Sequence, residues 1–186
     1  LSTYEYDKLG NRTYEGVTTK YTAANTDEKL EGNFHYNSYN KLNQLISSYE
    51  VESSQGTARK TYHKTYKYDK KGNKIADEKR GENSTFTYNV DNQLIDVSIK
   101  KNGKDKYRQH NEYNGSGQRI KKIDTTVSDT EEKTETINYY YEGSLLLYTT
   151  NEKGEKTSQN IVGDASNVFA TIRYTDGQSE YFYSKD

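Results

Sequence analysis

The sequence contains no cysteine and no proline. The first absence removes disulfides, Cys-based zinc sites, iron–sulfur clusters and a thiol nucleophile, and it leaves the redox compartment unread. The second removes stiff spacers and one of the devices that keep edge strands from pairing with other chains. Charge of one sign is missing too. The 27 Lys and Arg face 28 Asp and Glu, a formal net charge of −1, so charge repulsion does not hold the chain unfolded. The longest apolar run is Leu145-Leu146-Leu147-Tyr148, far short of a membrane helix, and no charged-then-apolar leader opens the chain. An opening of Leu1-Ser2-Thr3 without an initiator Met predicts a stretch of a longer protein, with any secretion signal upstream.

Tyrosine dominates what is present. Hydrophobic residues make up only 30% of the 186, but 20 Tyr and 4 Phe are among them. Aromatic rings carry the largest apolar area per residue, so Tyr is expected to be the main core residue. The length fits a single domain, here residues 1–186 as one array.

The chain repeats itself. Tyr4-Glu5-Tyr6-Asp7-Lys8-Leu9-Gly10-Asn11 and Tyr66-Lys67-Tyr68-Asp69-Lys70-Lys71-Gly72-Asn73 match at Tyr, Tyr, Asp, Gly and Asn. Weaker copies are Phe34, Tyr36 and Asn37 with Asn40 and Leu42; Phe86, Tyr88 and Asn89 with Asn92 and Leu94; and Tyr113 and Asn114 with Gly117 and Ile120. Degenerate copies stand at Tyr139-Tyr140-Tyr141-Glu142 and Tyr181-Phe182-Tyr183. Aromatics at i and i+2 share one face of an extended strand. A following Asp or Asn starts a turn through its own backbone, and Gly or Asn three residues on tolerates positive φ. Each motif therefore reads as strand, corner, strand.

Further turn signals lie between the corners: Gln55-Gly56, Arg80-Gly81-Glu82-Asn83, Asn102-Gly103, Glu152-Lys153-Gly154, Gly163-Asp164 and Thr175-Asp176-Gly177. Segments such as 61–68 and 93–100 alternate apolar with polar residues and are rich in Tyr, Thr, Ile and Val, as half-buried antiparallel strands are. No helical period persists, and the stretch from Thr126 to Thr136 reads as a polar hairpin tip. The expected fold is all-β, an antiparallel meander of consecutive β-hairpins forming an extended, repeat-built sheet.

These residues resemble the YD-repeat, or Rhs-repeat, family, whose mark is Y-x-Y-D-x-x-G-N followed by an aliphatic residue, here Ile75. Gly10, Asn40, Gly72, Asn92 and Gly117 follow the alternation of Gly-type and Asn-type corners seen in that family. The final third looks like the repeats that precede the family's conserved core. The resemblance implies a curved β-sheet that forms a shell around a C-terminal cargo, usually a toxin, in large secreted or wall-associated bacterial proteins, including Gram-positive ones. It also implies that the conserved core, the self-cleavage site and the toxin end lie beyond Asp186. The implied partners are adjacent repeats and the enclosed cargo, and exposed sheet ends predict edge-to-edge association.

Catalysis finds no support. His35, His63 and His110 are well separated and form no ligand set. No Gly-x-Ser-x-Gly elbow, Walker loop, dinucleotide fingerprint or His-Glu-x-x-His occurs, so no cofactor, metal or catalytic residue is expected. Asp7 and Asp69 exchange with Asn37, Asn89 and Asn114, which suits turn formers, because Asn cannot act as a base. Lys100, Lys101, Lys104, Lys106 and Arg108 cluster around one turn with Tyr107, but the balanced total charge argues against nucleic acid. The alternative function is carbohydrate binding or adhesion at the cell surface, with sugar rings stacked on exposed Tyr faces. Packing of those Tyr as a ladder is the competing reading. Asn11, Asn83 and Asn114 fit the glycosylation acceptor pattern, which carries little meaning in a bacterial protein.

Overall fold

A computed structural model describes residues 2–21, 29–54, 57–163, 167–174 and 179–182. The expected turns at Gln55-Gly56 and Thr175-Asp176-Gly177, and the positions Asp164 and Tyr183, lie outside the described residues. All regular structure there is β: β1 (Ser2–Tyr6), β2 (Arg12–Tyr21), β3 (Lys29–Tyr39), β4 (Leu45–Ser54), β5 (Thr57–Tyr68), β6 (Lys74–Lys79), β7 (Glu82–Tyr88), β8 (Leu94–Lys101), β9 (Lys104–Tyr113), β10 (Arg119–Val127), β11 (Glu132–Glu142), β12 (Leu145–Thr150), β13 (Lys156–Val162), β14 (Val168–Arg173) and β15 (Ser179–Phe182). They follow sheet order from β1 to β15 as an antiparallel meander, each strand hydrogen-bonded to its sequence neighbours. The segment from Thr126 to Thr136 is the tip of the hairpin of β10 and β11, with residues 128–131 as its turn and the rest paired strand.

The chain divides into two compact units, residues 1–85 with 100–103, and residues 86–99 with 104–186. In the first, the Arg80-Gly81 and Asn102-Gly103 turns have positive φ at both residues (52° and 72°; 51° and 80°). That is the two-residue hairpin geometry whose twist matches the flanking strands. The Asn102 N–H donates to the Gly81 carbonyl at 2.8 Å, joining one turn to the other.

The expectation that tyrosine forms the core needs correction. Among the described residues the buried apolar side chains are Val97 (8% exposed) and Ala170 (1%), and no large side chain is fully buried. Every Tyr whose side chain is described is half-buried or exposed. The reason is architectural: a strand in a meander is covered by the strands beside it, so a ring is shielded by cross-strand neighbours and keeps its outer side open. In the first unit Tyr14, Tyr36, Tyr49 and His63 occupy facing positions on β2 to β5, with successive ring centroids 5.1, 6.1 and 6.2 Å apart.

Candidate functional site: corners and tyrosine clasps

Six loops among the described residues share one construction. They span residues 7–11, 40–44, 69–73, 89–93, 114–118 and 151–155, and the first residue, i, is Asp or Asn. The N–H of i donates to the carbonyl of i+4 at 2.9–3.0 Å, and the N–H of i+3 donates back to the carbonyl of i at 3.0–3.2 Å. The Oδ1 atom of i accepts the N–H groups of i+2 and i+4, for example Lys71 and Asn73 on Asp69 and Ser116 and Gln118 on Asn114, at 2.9–3.0 Å. Residue i+3 is left-handed: Gly10, Asn43, Gly72, Asn92, Gly117 or Gly154, with φ from 58° to 92°. Only Gly, or Asn at modest cost, takes that conformation readily.

The side chains at i and i+4 obey a donor–acceptor rule. Where i is Asp, i+4 is Asn and donates: Asn11 to Asp7 at 2.9 Å and Asn73 to Asp69 at 3.0 Å. Where i is Asn, the direction inverts and i+4 is Gln or Glu. Asn40 donates to Gln44, Asn89 to Gln93, Asn114 to Gln118 and Asn151 to Glu155, at 2.6–2.8 Å. An ionised carboxylate only accepts, whereas an amide can do either, so the partner must change with the first residue. The hydrogen bond from Asn11 is the largest influence on Asp7, and that from Asn73 on Asp69. With the backbone donors they hold both carboxyls below their usual range.

The second copy lies three residues later than its sequence motif suggests. Its corner is Asn40-Lys41-Leu42-Asn43-Gln44, entered by Tyr39, with Asn43 rather than Asn40 in the left-handed place. Phe34, Tyr36 and Asn37 sit within β3, and the Asn37 amide donates to the Arg12 carbonyl at 3.1 Å. The motif misled because Phe34-His35-Tyr36-Asn37 also satisfies aromatic-x-aromatic-Asn. The expected turn at Glu152-Lys153-Gly154 is a corner of the same kind opened by Asn151, which the repeat motif does not mark because Thr150, not Tyr, precedes it. The acceptor at i+4 was the available signal. At Tyr139-Tyr140-Tyr141-Glu142 the chain reverses through Gly143 (φ 57°) without an Asx loop, and Tyr181 and Phe182 lie in β15.

The corners at 7–11, 40–44, 69–73, 114–118 and 151–155 each lead into a β-bulge. Tyr6 pairs with Arg12 but Glu5 with Tyr14, which leaves Thr13 extra. Ile46, Ile75, Ile120 and Thr157 are extra in the same way. The bulge interrupts the ladder, and the carbonyl of i+5 is taken by a side chain from farther along. Tyr39 donates its hydroxyl to Arg12 (3.2 Å), Tyr68 to Leu45 (2.9 Å), Tyr113 to Leu94 (2.9 Å) and Tyr141 to Arg119 (3.0 Å). This explains why the motif uses Tyr rather than Phe at its second aromatic. Every clasp ties one corner to the exit of the one before it. Side chains reach across as well: Asn11 donates to Asn43 (3.1 Å), and Gln118 to the Gly143 carbonyl (2.6 Å).

Tyr107 donates to Asp124 at 2.5 Å and Lys122 approaches the other carboxylate oxygen at 2.5 Å, so both oxygens of Asp124 are engaged. Burial, then the bond to Asp124, raises the Tyr107 phenol well above its usual value, which makes it a fixed donor. Burial pushes the Asp77 carboxyl up, but hydrogen bonds from Lys74 and Ser84 prevail and hold it low. No group of three or more metal-ligating side chains converges among the described residues, and His110 pairs with Asp96 at 2.7 Å. Of the basic cluster, Lys104 and Lys106 approach Asp129 (3.8 and 3.9 Å), and Arg108 contacts Asp105 (3.2 Å) and Glu132 (2.5 Å). These cations meet acidic partners within the fold. In the ladder of the first unit the rings are tilted or edge-on, with interplanar angles of 50°, 66° and 69°, so neighbours take up faces that sugar stacking would need. Asn11 and Asn114, two of the glycosylation acceptors, have their amides engaged in corners.

The sequence matches no family model. It is 29% identical over 182 residues to the tRNA3(Ser)-specific nuclease WapA of Bacillus spizizenii, an overlap of 97% of this chain and 6% of WapA. The chain thus spans about 6% of the length of that curated relative. Among solved structures, a porin-like protein from Bacteroides uniformis overlays with a TM-score of 0.48 at 12% identity, over 97% of this chain and 86% of that one. The TcdB2-TccC3 structure overlays with a TM-score of 0.37 at 12% identity, over 97% of this chain and 12% of that one.

Proposed function

We propose that this chain, 29% identical to WapA over 182 residues, is a non-catalytic stretch of a YD-repeat wall, curved around the C-terminal toxin of a large secreted or wall-associated bacterial protein, of the Gram-positive kind. Its partners in that reading are the repeats on either side and the enclosed cargo. The observation that carries it is the corner-to-corner clasp. A wall must gain stability strand by strand without a closed core, and here each Tyr hydroxyl ties a strand to the exit of an earlier corner. Stability of that kind is a sum over neighbours and does not limit length. In this reading the catalytic chemistry belongs to the cargo and not to this stretch.

The test is limited proteolysis of the whole parent protein. Its C-terminal domain should resist protease under native conditions and become susceptible when two corners in this stretch are disabled. A C-terminal domain cut equally fast in the intact protein and after excision refutes enclosure. The carbohydrate reading is not favoured, because in the ladder of the first unit each ring lies tilted or edge-on to the next, so that neighbours take up faces a sugar would need.

A further inference from the structure

We propose that the Asn102-Gly103 turn is a site of spontaneous deamidation in the folded protein, and that the corner at 114–118 seals the chain's other Asn-Gly pair, Asn114-Gly115, against the same reaction. The reactant is water, and the products are aspartate and isoaspartate. The inference goes beyond the wall reading and stands without it.

The reaction needs only neighbouring atoms of the chain. The backbone nitrogen that follows an Asn attacks Cγ of the side-chain amide and loses its proton. A new N–C bond closes a five-membered succinimide, the Cγ–Nδ2 bond breaks, and the amide nitrogen leaves with that proton as ammonia. Water then opens the ring at one carbonyl or the other, giving aspartate or isoaspartate. Nothing is oxidised or reduced. Glycine in the second place has no Cβ to obstruct the approach. Both pairs meet that condition, so their sequences alone rank them equally.

Their surroundings separate them. Asn102 and Gly103 are exposed, and among the described residues no hydrogen bond holds the Asn102 amide or the Gly103 N–H. The bond that Asn102 does make, to the Gly81 carbonyl at 2.8 Å, uses its main-chain N–H and leaves the reacting atoms free. Its Oδ1 lies 2.6 Å from the place a Cβ would take on Gly81, so the side chain rests against a residue with no polar group of its own to hold it. At Asn114 the whole amide is engaged. Oδ1 accepts the N–H groups of Ser116 and Gln118, both at 3.0 Å, and Nδ2 donates to Gln118 at 2.8 Å. Attack from Gly115 requires the amide to turn its face to that nitrogen and to release Nδ2, and both movements break these bonds. The reaction at Asn114 therefore waits for the corner to open. At Asn102 the aspartate product keeps the backbone as it was. Isoaspartate routes the main chain through the former side chain and adds one backbone atom, which a two-residue turn with positive φ at both residues does not accommodate.

The test is incubation of the folded chain in mildly alkaline buffer beside a sample unfolded in urea, with mass spectrometry of proteolytic peptides reading aspartate and isoaspartate at each pair. In urea the two pairs should convert at similar rates. In the folded chain Asn102 should convert at a rate comparable to the unfolded one, and Asn114 about a hundred-fold more slowly, the worth of three net hydrogen bonds at about five-fold each. Gln118→Ala, which removes the acceptor of Nδ2, should speed Asn114 about five-fold. Amides of β8 and β9 that flank the turn should exchange faster in the isoaspartate form. Asn102 as slow as Asn114 in the folded chain, or Asn114 as fast as Asn102, overturns the proposal. So does a Gln118→Ala chain in which Asn114 converts no faster, or an isoaspartate form whose flanking amides exchange as before.

Discussion

Replacing Asn151 by Asp tests the donor–acceptor rule at the corner where it is most exposed to charge. Asn151 donates to the Glu155 carboxylate at 2.7 Å, while its Oδ1 accepts the N–H groups of Lys153 and Glu155. Asn151→Asp keeps those backbone bonds and sets a second carboxylate against Glu155. Two unit charges at about that separation repel by about 1.5 kcal/mol at the dielectric of water, and a lost net hydrogen bond adds about 1 kcal/mol. Exposed side chains swing apart and recover part of this, so the expected cost is about 1–2 kcal/mol at pH 7. Repulsion raises the pKa of the new carboxylate in the folded state above its unfolded value of about 3.9. The folded variant then binds more protons, so its deficit shrinks as pH falls through the raised pKa. Adding Glu155→Asn recreates the pairing of Asp7 with Asn11 and should restore stability at pH 7, with a coupling of about 1 kcal/mol or more in the double-mutant cycle. Hydrogen exchange of the β12 and β13 amides against pH reads all of these quantities. A neutral Asn151→Asp, or a double variant no better than the single one, refutes the rule.

Asp69 behaves in the opposite sense. Its folded pKa lies below 3.8 because Asn73 and backbone N–H groups donate to it, so its contribution is present above that value and is lost as pH falls through the lower folded pKa; an NMR titration midpoint at or above 3.8 contradicts this. At Gly72 (φ 92°), Gly72→Ala should cost about 1–2 kcal/mol and Gly72→Asn distinctly less, as Asn43 and Asn92 imply. Urea unfolding separates the two, and equal costs count against the left-handed argument. Asn111 is 2% exposed, donates to the Leu94 carbonyl at 3.0 Å and accepts from Gln109 at 3.0 Å. Asn111→Ala takes the acceptor from the Gln109 amide, while Tyr113 still donates to the Leu94 carbonyl, and should cost about 1–2 kcal/mol in hydrogen-exchange stability, against under 0.5 kcal/mol for an exposed control such as Lys153→Ala.

The corners at Asp7, Asp69, Asn89 and Asn114 were readable because an Asx loop is local. The carboxyl or amide bonds N–H groups two and four residues on, and Gly or Asn sits between them. Where the sequence misled, at Asn37 and Asn40, two overlapping motifs satisfy the same local rule. Only the bond from Asn37 to the Arg12 carbonyl, 25 residues back, separates them. The expected aromatic core failed for a related reason. Composition counts rings but not the layers available to cover them.

Strand content, the meander order and the places where the chain reverses are short-range properties, set by alternation, by turn residues and by the conformational freedom of Gly and Asn. The clasps are not. A Tyr hydroxyl and its carbonyl stand 19–27 residues apart, and the carbonyl is free only because a bulge displaces it from the ladder. No single segment encodes that vacancy. It arises when neighbouring strands pair, and with it comes the second duty of the motif tyrosine.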